Sequence, residues 1–225
     1  RFLHRIDTKA FAYFPKRLTK RNILKIAVLL SRVPFPLEKG DKLRAYHQIR
    51  CLAQKHDIYL FALTDKNDNS LAENELKSFC KKICFAKTHL CGRIWNTIRF
   101  FFKGLPLQCG WFYDKMAKRQ LNSFIKEVQP DHIYCQLVRT AEYVKTLSIP
   151  KTIDYQDVLS KGMFRRYESA SFLLKPIFLW EGKRLAKYEE NIFPYFDHKT
   201  IITGVDRELI PHPQNEQIHV IANKI

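Results

Sequence analysis

Asp157 lies in the stretch Asp154-Tyr155-Gln156-Asp157-Val158-Leu159-Ser160-Lys161, directly after a short apolar run. If that run is a strand whose end opens on a crevice, Asp157 would act as general base on a substrate hydroxyl. Its plainer role is to cap the next segment or to pair with Arg165 or Arg166. Asp154 is read as a stabiliser of the loop. Gln136, at the end of the run His132 to Leu137, and Arg139, just beyond it, would reach the same crevice, and Gln156 stands beside Asp157.

A second loop, Ser31 to Lys42, contains Gly40 where a helix should start. Free backbone N–H groups and the positive end of the helix dipole would meet a phosphate there, and a side chain at position 40 would keep it away. Asp41, Lys42 and Arg44 would line that approach. The loop is neither a GxGxxG fingerprint nor a P-loop, and the plainer reading is a helix start with Asp41 as N-cap.

Residues 77–113 hold seven Lys or Arg and no acid, interleaved with nine aromatic residues. Within them, residues 93–103 pattern as a basic amphipathic helix with Ile94, Ile98, Phe101 and Phe102 on one side. Arg93, Trp95, Arg99 and Lys103 would contact an anionic headgroup layer. The plainer reading is a helix docked on a sheet with a solvated basic face. Basic residues among aromatics also suit single-stranded nucleic acid. No RRM, KH or helix-turn-helix signature is present, so nucleic acid is not the expected partner. The eight histidines form no HExxH pair, and no GxSxG elbow occurs.

These loops need elements to hold them. Strand-like runs fall at Leu24–Leu30, Ile58–Leu63, Ile83–Ala86, His132–Leu137, Thr152–Asp154, Lys199–Ile202 and Ile218–Ile221. Helical spacing covers 41–55, 71–82, 93–103, 112–128, 140–147 and 172–193. The alternation predicts an α/β class, a Rossmann-like parallel sheet with helices on both faces. Ligands of such sheets sit at the carboxyl ends of the strands, where all the loops named above fall.

Composition agrees with a folded domain. The chain has 225 residues, 46% hydrophobic and 27% charged, which excludes disorder and low complexity. The 39 Lys and Arg against 22 Asp and Glu give +17, an excess that points to an anionic partner. Six cysteines, at 51, 80, 84, 91, 109 and 135, form no CxxC pair and read as free thiols of a cytosolic protein. Cys80, Cys84, Cys91 and His89 fit no common zinc finger, so no metal is expected. No apolar run reaches the length of a membrane span. Residues 1–22, with seven basic side chains and one acid, read as a basic leader. The chain starts at Arg1 and stops just after an apolar run, so a piece of a longer protein is expected.

Three segments together resemble the N-terminal, acceptor-side half of a GT-B glycosyltransferase of the family 4 type, closest to a bacterial branch associated with exopolysaccharide loci. The first is Arg32-Val33-Pro34-Phe35-Pro36 through Gly40-Asp41-Lys42-Leu43-Arg44, then His47 and Leu52-Ala53. The second is Asp154-Tyr155-Gln156-Asp157-Val158-Leu159-Ser160. The third is Trp180-Glu181, Arg184-Leu185, Tyr188-Glu189, Phe196-Asp197 and Asp206-Arg207-Glu208-Leu209.

The resemblance implies two Rossmann-like domains, with 23–217 as the acceptor domain and 218–225 as the start of the crossover to a donor-binding domain. Val220-Ile221-Ala222-Asn223 looks like the family's V-I-P-N, with Ala222 in the proline's place. Gln156 stands where many members carry a histidine, which leaves Asp157 as the active-site residue. The implied activity is transfer of a hexose from a nucleotide-sugar donor to a lipid-linked or polysaccharide acceptor at the inner face of the cytoplasmic membrane. No cofactor beyond the donor is implied. The alternative is a basic, non-catalytic module for anionic membrane or nucleic acid.

Overall fold

A computed structural model describes residues 23–222; the basic leader lies outside the described residues. β1 (Lys25–Leu30) is followed by α1 (Gly40–Ala53), β2 (Asp57–Thr64), α2 (Ser70–Leu76) and β3 (Lys82–Lys87). Three helices, α3 (Leu90–Phe102), α4 (Leu107–Phe112) and α5 (Lys115–Val128), lead to β4 (His132–Gln136). A 3-10 turn (Val138–Thr140) and α6 (Ala141–Val144) precede β5 (Lys151–Asp154). Then come α7 (Leu159–Ser169), α8 (Lys175–Asn191), β6 (His198–Ile201), α9 (Gly204–Glu208) and β7 (Ile218–Val220).

The seven strands form one parallel sheet in the order β3-β2-β1-β4-β5-β6-β7. The chain begins in the middle, winds outward to β3, and returns to start again at β4. β1 and β4 therefore flank the point where winding reverses, and the loops beyond them part to open a crevice. Parallel strands bury both faces, which is why the runs are apolar without alternation. Ile26, Val28 and Leu30 of β1 pack with Ala45, Ile49 and Leu52 of α1 and Leu76 of α2. Ala27 and Leu29 face the other way, into a core with Phe124 of α5, Tyr188 of α8 and Ile192 just after it.

All seven strands lie where the apolar runs predict them. β7 pairs with β6 in this same sheet, so the segment expected to begin a crossover supplies an edge strand first. The helix expected over 112–128 is split. Tyr113 is extended, and Asp114 caps α5 by accepting the Ala117 N–H at 2.9 Å. The helix expected over 71–82 stops at Leu76. α7, which periodicity does not mark, is held by tertiary packing: a Cβ at Gly182 of α8 would lie 2.8 Å from the Phe164 ring of α7. The α3–α4 pair closes in the same way, since a Cβ at Gly110 would lie 2.9 Å from the Asn96 carbonyl.

Across the sheet's upper edge runs a buried polar network around Asp154, which is fully inaccessible. Its carboxylate accepts from Arg44 Nε at 2.9 Å, Gln48 Nε2 at 2.8 Å and Tyr134 OH at 2.8 Å. Arg44 also reaches the Ile221 carbonyl at 3.2 Å. Burial alone would raise the Asp154 carboxyl, but Arg44 and these hydrogen bonds hold it below its ordinary value. Asp154→Ala, which leaves the Arg44 guanidinium buried without its counter-ion, is expected to cost about 3–5 kcal/mol in urea unfolding. The Arg44→Met, Asp154→Ala double variant is expected to lose less than the sum of the single losses.

Candidate functional site

The carboxyl ends of β1 and β2 open on a cleft of about 410 Å³. Its floor is the end of β1, with Ser31 and Arg32, and the end of β2, with Leu63 and Thr64. One wall is the loop to α1 and its first turn, carrying Phe35, Glu38, Lys39 and Lys42. Arg93 of α3 and Trp111 and Phe112 of α4 form the other wall.

Gly40 starts α1, and a Cβ there would meet no atom within 4 Å. No packing within the described structure calls for glycine at this point. Lys39, not Asp41, occupies the N-cap position, and no side chain caps the helix. Asp41 instead takes the Arg32 guanidinium at 3.0 Å, and its carbonyl accepts from Gln136 Nε2 at 3.2 Å. Lys42 points into the cleft.

Arg44 does not: it is buried in the Asp154 network, which corrects the expectation of a substrate-facing guanidinium. The misreading has a simple cause. Arg44 lies two residues from Lys42, about 200° around the helix, so the two side chains face different ways. Gln136 is also buried, serving the Asp41 backbone rather than open space.

Arg139 donates to Gln108 Oε1 at 2.9 Å and lies over the Phe112 ring, 5.1 Å from its centre. Arg32 lies over the same ring at 5.5 Å. Burial first, and then repulsion from Arg32, lower the Arg139 pKa. Arg32, Asp41, Lys42, Gln136 and Arg139 thus gather around the β1 and β4 loops.

Asp157 belongs to a second group. It is exposed on the β5 loop, and its Oδ1 accepts the Val158 N–H at 2.9 Å. Gln156 beside it is buried in the left-handed region at φ 58, and its Nε2 has no hydrogen-bond partner among the described residues. Leu137, just past β4, has φ 64. Such backbone costs of order 1–3 kcal/mol per residue and concentrates at functional loops. Here both instances flank the crevice.

Glu189 of α8 lies under this loop, and no sequence spacing marks it as a partner. It accepts from Ser160 N at 3.2 Å and Ser160 Oγ at 2.6 Å, and so caps α7 from 29 residues away. Glu181 of the same helix caps α4, accepting from Leu107 N at 2.9 Å and Gln108 N at 3.0 Å. Burial drives Glu189 up to about 7, and the nearby Asp157 charge adds to this.

The four residues expected at a membrane differ in exposure. Arg93 is a correction: its side chain is 14% exposed and turns into the cleft, where Nε and Nη2 hold Thr88 Oγ1 at 3.0 and 2.7 Å. Trp95 is 69% exposed and Lys103 is exposed, while Arg99 is half-buried. The apolar face of α3 is left open at Ile94, Ile98, Phe101 and Phe102. Phe101 meets Trp180 of α8 at 5.0 Å between ring centres. That contact joins the α3 face to α8, and in the turn before α8 Phe172 is 86% exposed and Leu173 is nearly as open. The six cysteines are unpaired. No described helix is long and apolar enough to cross a membrane.

No protein-family profile matches the chain, and no curated protein sequence matches it. Solved structures do. A UDP-glucosyltransferase from Polygonum tinctorium capable of glucosylating indoxyl is similar over 92% of the chain, at 10% identity and TM-score 0.52. Sucrose-phosphate synthase from Thermosynechococcus elongatus is similar over 88%, at 11% identity and TM-score 0.54. The Phytolacca americana UGT2, solved with UDP-2-fluoro-glucose and pterostilbene, gives 10% identity over 89% of the chain and TM-score 0.50. The fold is that of the GT-B glycosyltransferases. The chain spans about half of these structures, 54% of the first and 47% of the second.

The Glu189 pKa sets the sign of a pH effect. Between its ordinary 4.5 and about 7, native Glu189 keeps a proton that the unfolded chain has lost. Its contribution is full below 4.5 and disappears as pH rises through about 7. Glu189→Gln is expected to remove this loss. Measured by urea unfolding, its stability relative to the native sequence should rise by roughly 3 kcal/mol from acid to alkaline pH.

Proposed function

We propose that the chain is the acceptor-side domain of a glycosyltransferase that uses a nucleotide-sugar donor, of the GT-B family 4 type and the exopolysaccharide-associated branch. The observation that carries this is the seven-stranded GT-B sheet, with Asp157 exposed on the loop after β5 and a basic cleft at the ends of β1 and β2. The fold neighbours include a UDP-glucosyltransferase and an enzyme solved with UDP-2-fluoro-glucose, which supports a nucleotide-sugar partner here.

In this reading Asp157 takes the proton from the acceptor hydroxyl as that oxygen attacks the anomeric carbon of the donor. The leaving nucleotide carries away the bonding electron pair. Asp157 suits the task because it is open to solvent and not ion-paired among the described residues. The buried Glu189 behind it holds the loop. Gln156 offers its unpartnered amide to the sugar, and Gly40 leaves room for a phosphate at the α1 N-terminus. Arg139, with Gln136 and Asp41 behind it, keeps the β4 loop in register with α1.

The acceptor would be lipid-linked or polysaccharide, met at a membrane surface. The α3 face and the Phe172–Leu173 turn both leave large apolar side chains open, and Arg99 of α3, Lys103 just after it, and Lys175 and Lys183 of α8 supply positive charge. An anionic bilayer satisfies both features, since basic side chains near its surface gain about 1 kcal/mol each.

In the full-length protein, Asp157→Asn is expected to lower kcat for sugar transfer about 10²–10⁴-fold with the thermal midpoint unchanged. Unchanged turnover would remove Asp157 from the mechanism. Sedimentation with vesicles tests the membrane claim separately. Binding should require anionic lipid, weaken with salt, and drop when Trp95 and Phe172 are both replaced by serine. Equal binding to neutral vesicles would sink the electrostatic part of the claim.

A further inference from the structure

The cleft beside α1 is more basic than a neutral sugar requires. Arg32, Lys39, Lys42, Lys66 and Arg93 line it against the acids Glu38 and Asp65. Lys42 is the informative member. Its side chain is 12% exposed, yet its ammonium makes no hydrogen bond among the described residues. Its acid neighbour Glu38 stands 3.7 Å away and is itself turned to solvent. The ammonium thus stands in the cleft with its three donors available to a ligand there.

Arg93 faces the cleft from α3. Thr88, an uncharged partner, fixes two of its nitrogens, and the guanidinium lies 5.7 Å from the centre of the Trp111 ring. Its third nitrogen has only a 3.4 Å contact to the solvent-turned Asp65. Its position is therefore set while its charge is little neutralised, the condition under which a guanidinium binds phosphate oxygens well. Arg32, by contrast, is matched by Asp41 at 3.0 Å.

We infer that this cleft takes a phosphate-bearing group of the acceptor, a phosphate monoester or diphosphate, held by Lys42 from α1 and Arg93 from α3 with Trp111 as its aromatic wall. The word acceptor rests on the glycosyltransferase reading above; the anion site itself does not. The same chemistry could belong to a lipid headgroup or to a soluble sugar phosphate.

The test uses the full-length protein and its tryptophan emission, with Trp111→Phe showing which signal belongs to the cleft. The probes are inorganic pyrophosphate, glucose 1-phosphate, and phosphatidylcholine vesicles doped with a polyprenyl phosphate. Pyrophosphate should give a saturable change that weakens about tenfold in Lys42→Met and in Arg93→Met, and is kept in Lys42→Arg and in Lys126→Met on the far helix α5. Circular dichroism of each variant separates lost binding from lost folding, and Lys42→Arg keeps the charge if Lys42→Met does not fold.

Preference for the doped vesicles over glucose 1-phosphate assigns the site to a lipid headgroup, and the reverse assigns it to a soluble sugar phosphate. Equal affinity in Lys42→Met and the native sequence overturns the site. Displacement of pyrophosphate by saturating UDP overturns the acceptor assignment and makes the cleft a subsite for the donor phosphates. A protein that binds pyrophosphate this way but transfers no sugar would end the glycosyltransferase reading and leave the site standing. Transfer to a neutral acceptor with Lys42→Met unimpaired would do the opposite.

Discussion

Asp154 carries a charge into a place that water does not reach, and the upper edge of the sheet is arranged around meeting it. The donors come from three directions: Arg44 and Gln48 from α1, Tyr134 from β4, and the Gln156 backbone N–H at 3.2 Å from the loop itself. Satisfying one carboxylate thus fixes how α1 leans over the sheet, how far β4 and β5 run together, and how the β5 loop turns. The turn puts Gln156 in the left-handed region and leaves Asp157 facing out. Arg44 extends the same network to Ile221, just beyond the last strand.

A second constraint holds the two helical pairs that rise from the sheet. α8 sends Glu181 to the N-terminus of α4 and Glu189 to the N-terminus of α7. Each carboxylate meets N–H groups that have no partner within their own helix. One helix therefore positions both the cleft wall carrying Trp111 and Phe112 and the segment behind Asp157. For Glu189 the arrangement requires a carboxyl deep in the core, and burial shifts its proton affinity accordingly.

The cleft and the exposed apolar patch lie on either side of the α3–α4 pair. Arg93 turns inward from α3 to line the cleft, while Trp95, two residues on, turns outward. A ligand held in the cleft and a surface met by the patch would therefore be close together. That geometry suits an acceptor with a phosphorylated head and an apolar tail, and it links the anion site to the membrane-facing proposal through a single helix.

The strands were legible in the sequence because each is a contiguous apolar run, and a parallel strand buried on both faces needs no information beyond its own residues. The runs and the helical spacings between them already determine the α/β class and place Arg139 and Asp157 past strand ends, Gln136 at the end of a strand, and Gly40 and Lys42 at a helix start. Tertiary structure alone decided which charged side chains remain available there. Arg44 and Lys42 are both cationic and two residues apart, yet the first is bound to Asp154, 110 positions away, and the second opens on the cleft. α7 escaped the periodic pattern because the glycine that admits it, Gly182, lies on another helix. Arg93 read as a surface cation because its partners, Thr88 and the Trp111 ring, converge only when α3 and α4 close. Strand formation depends on neighbours along the chain, whereas the fate of a buried charge depends on what long-range packing brings within about 3 Å of it.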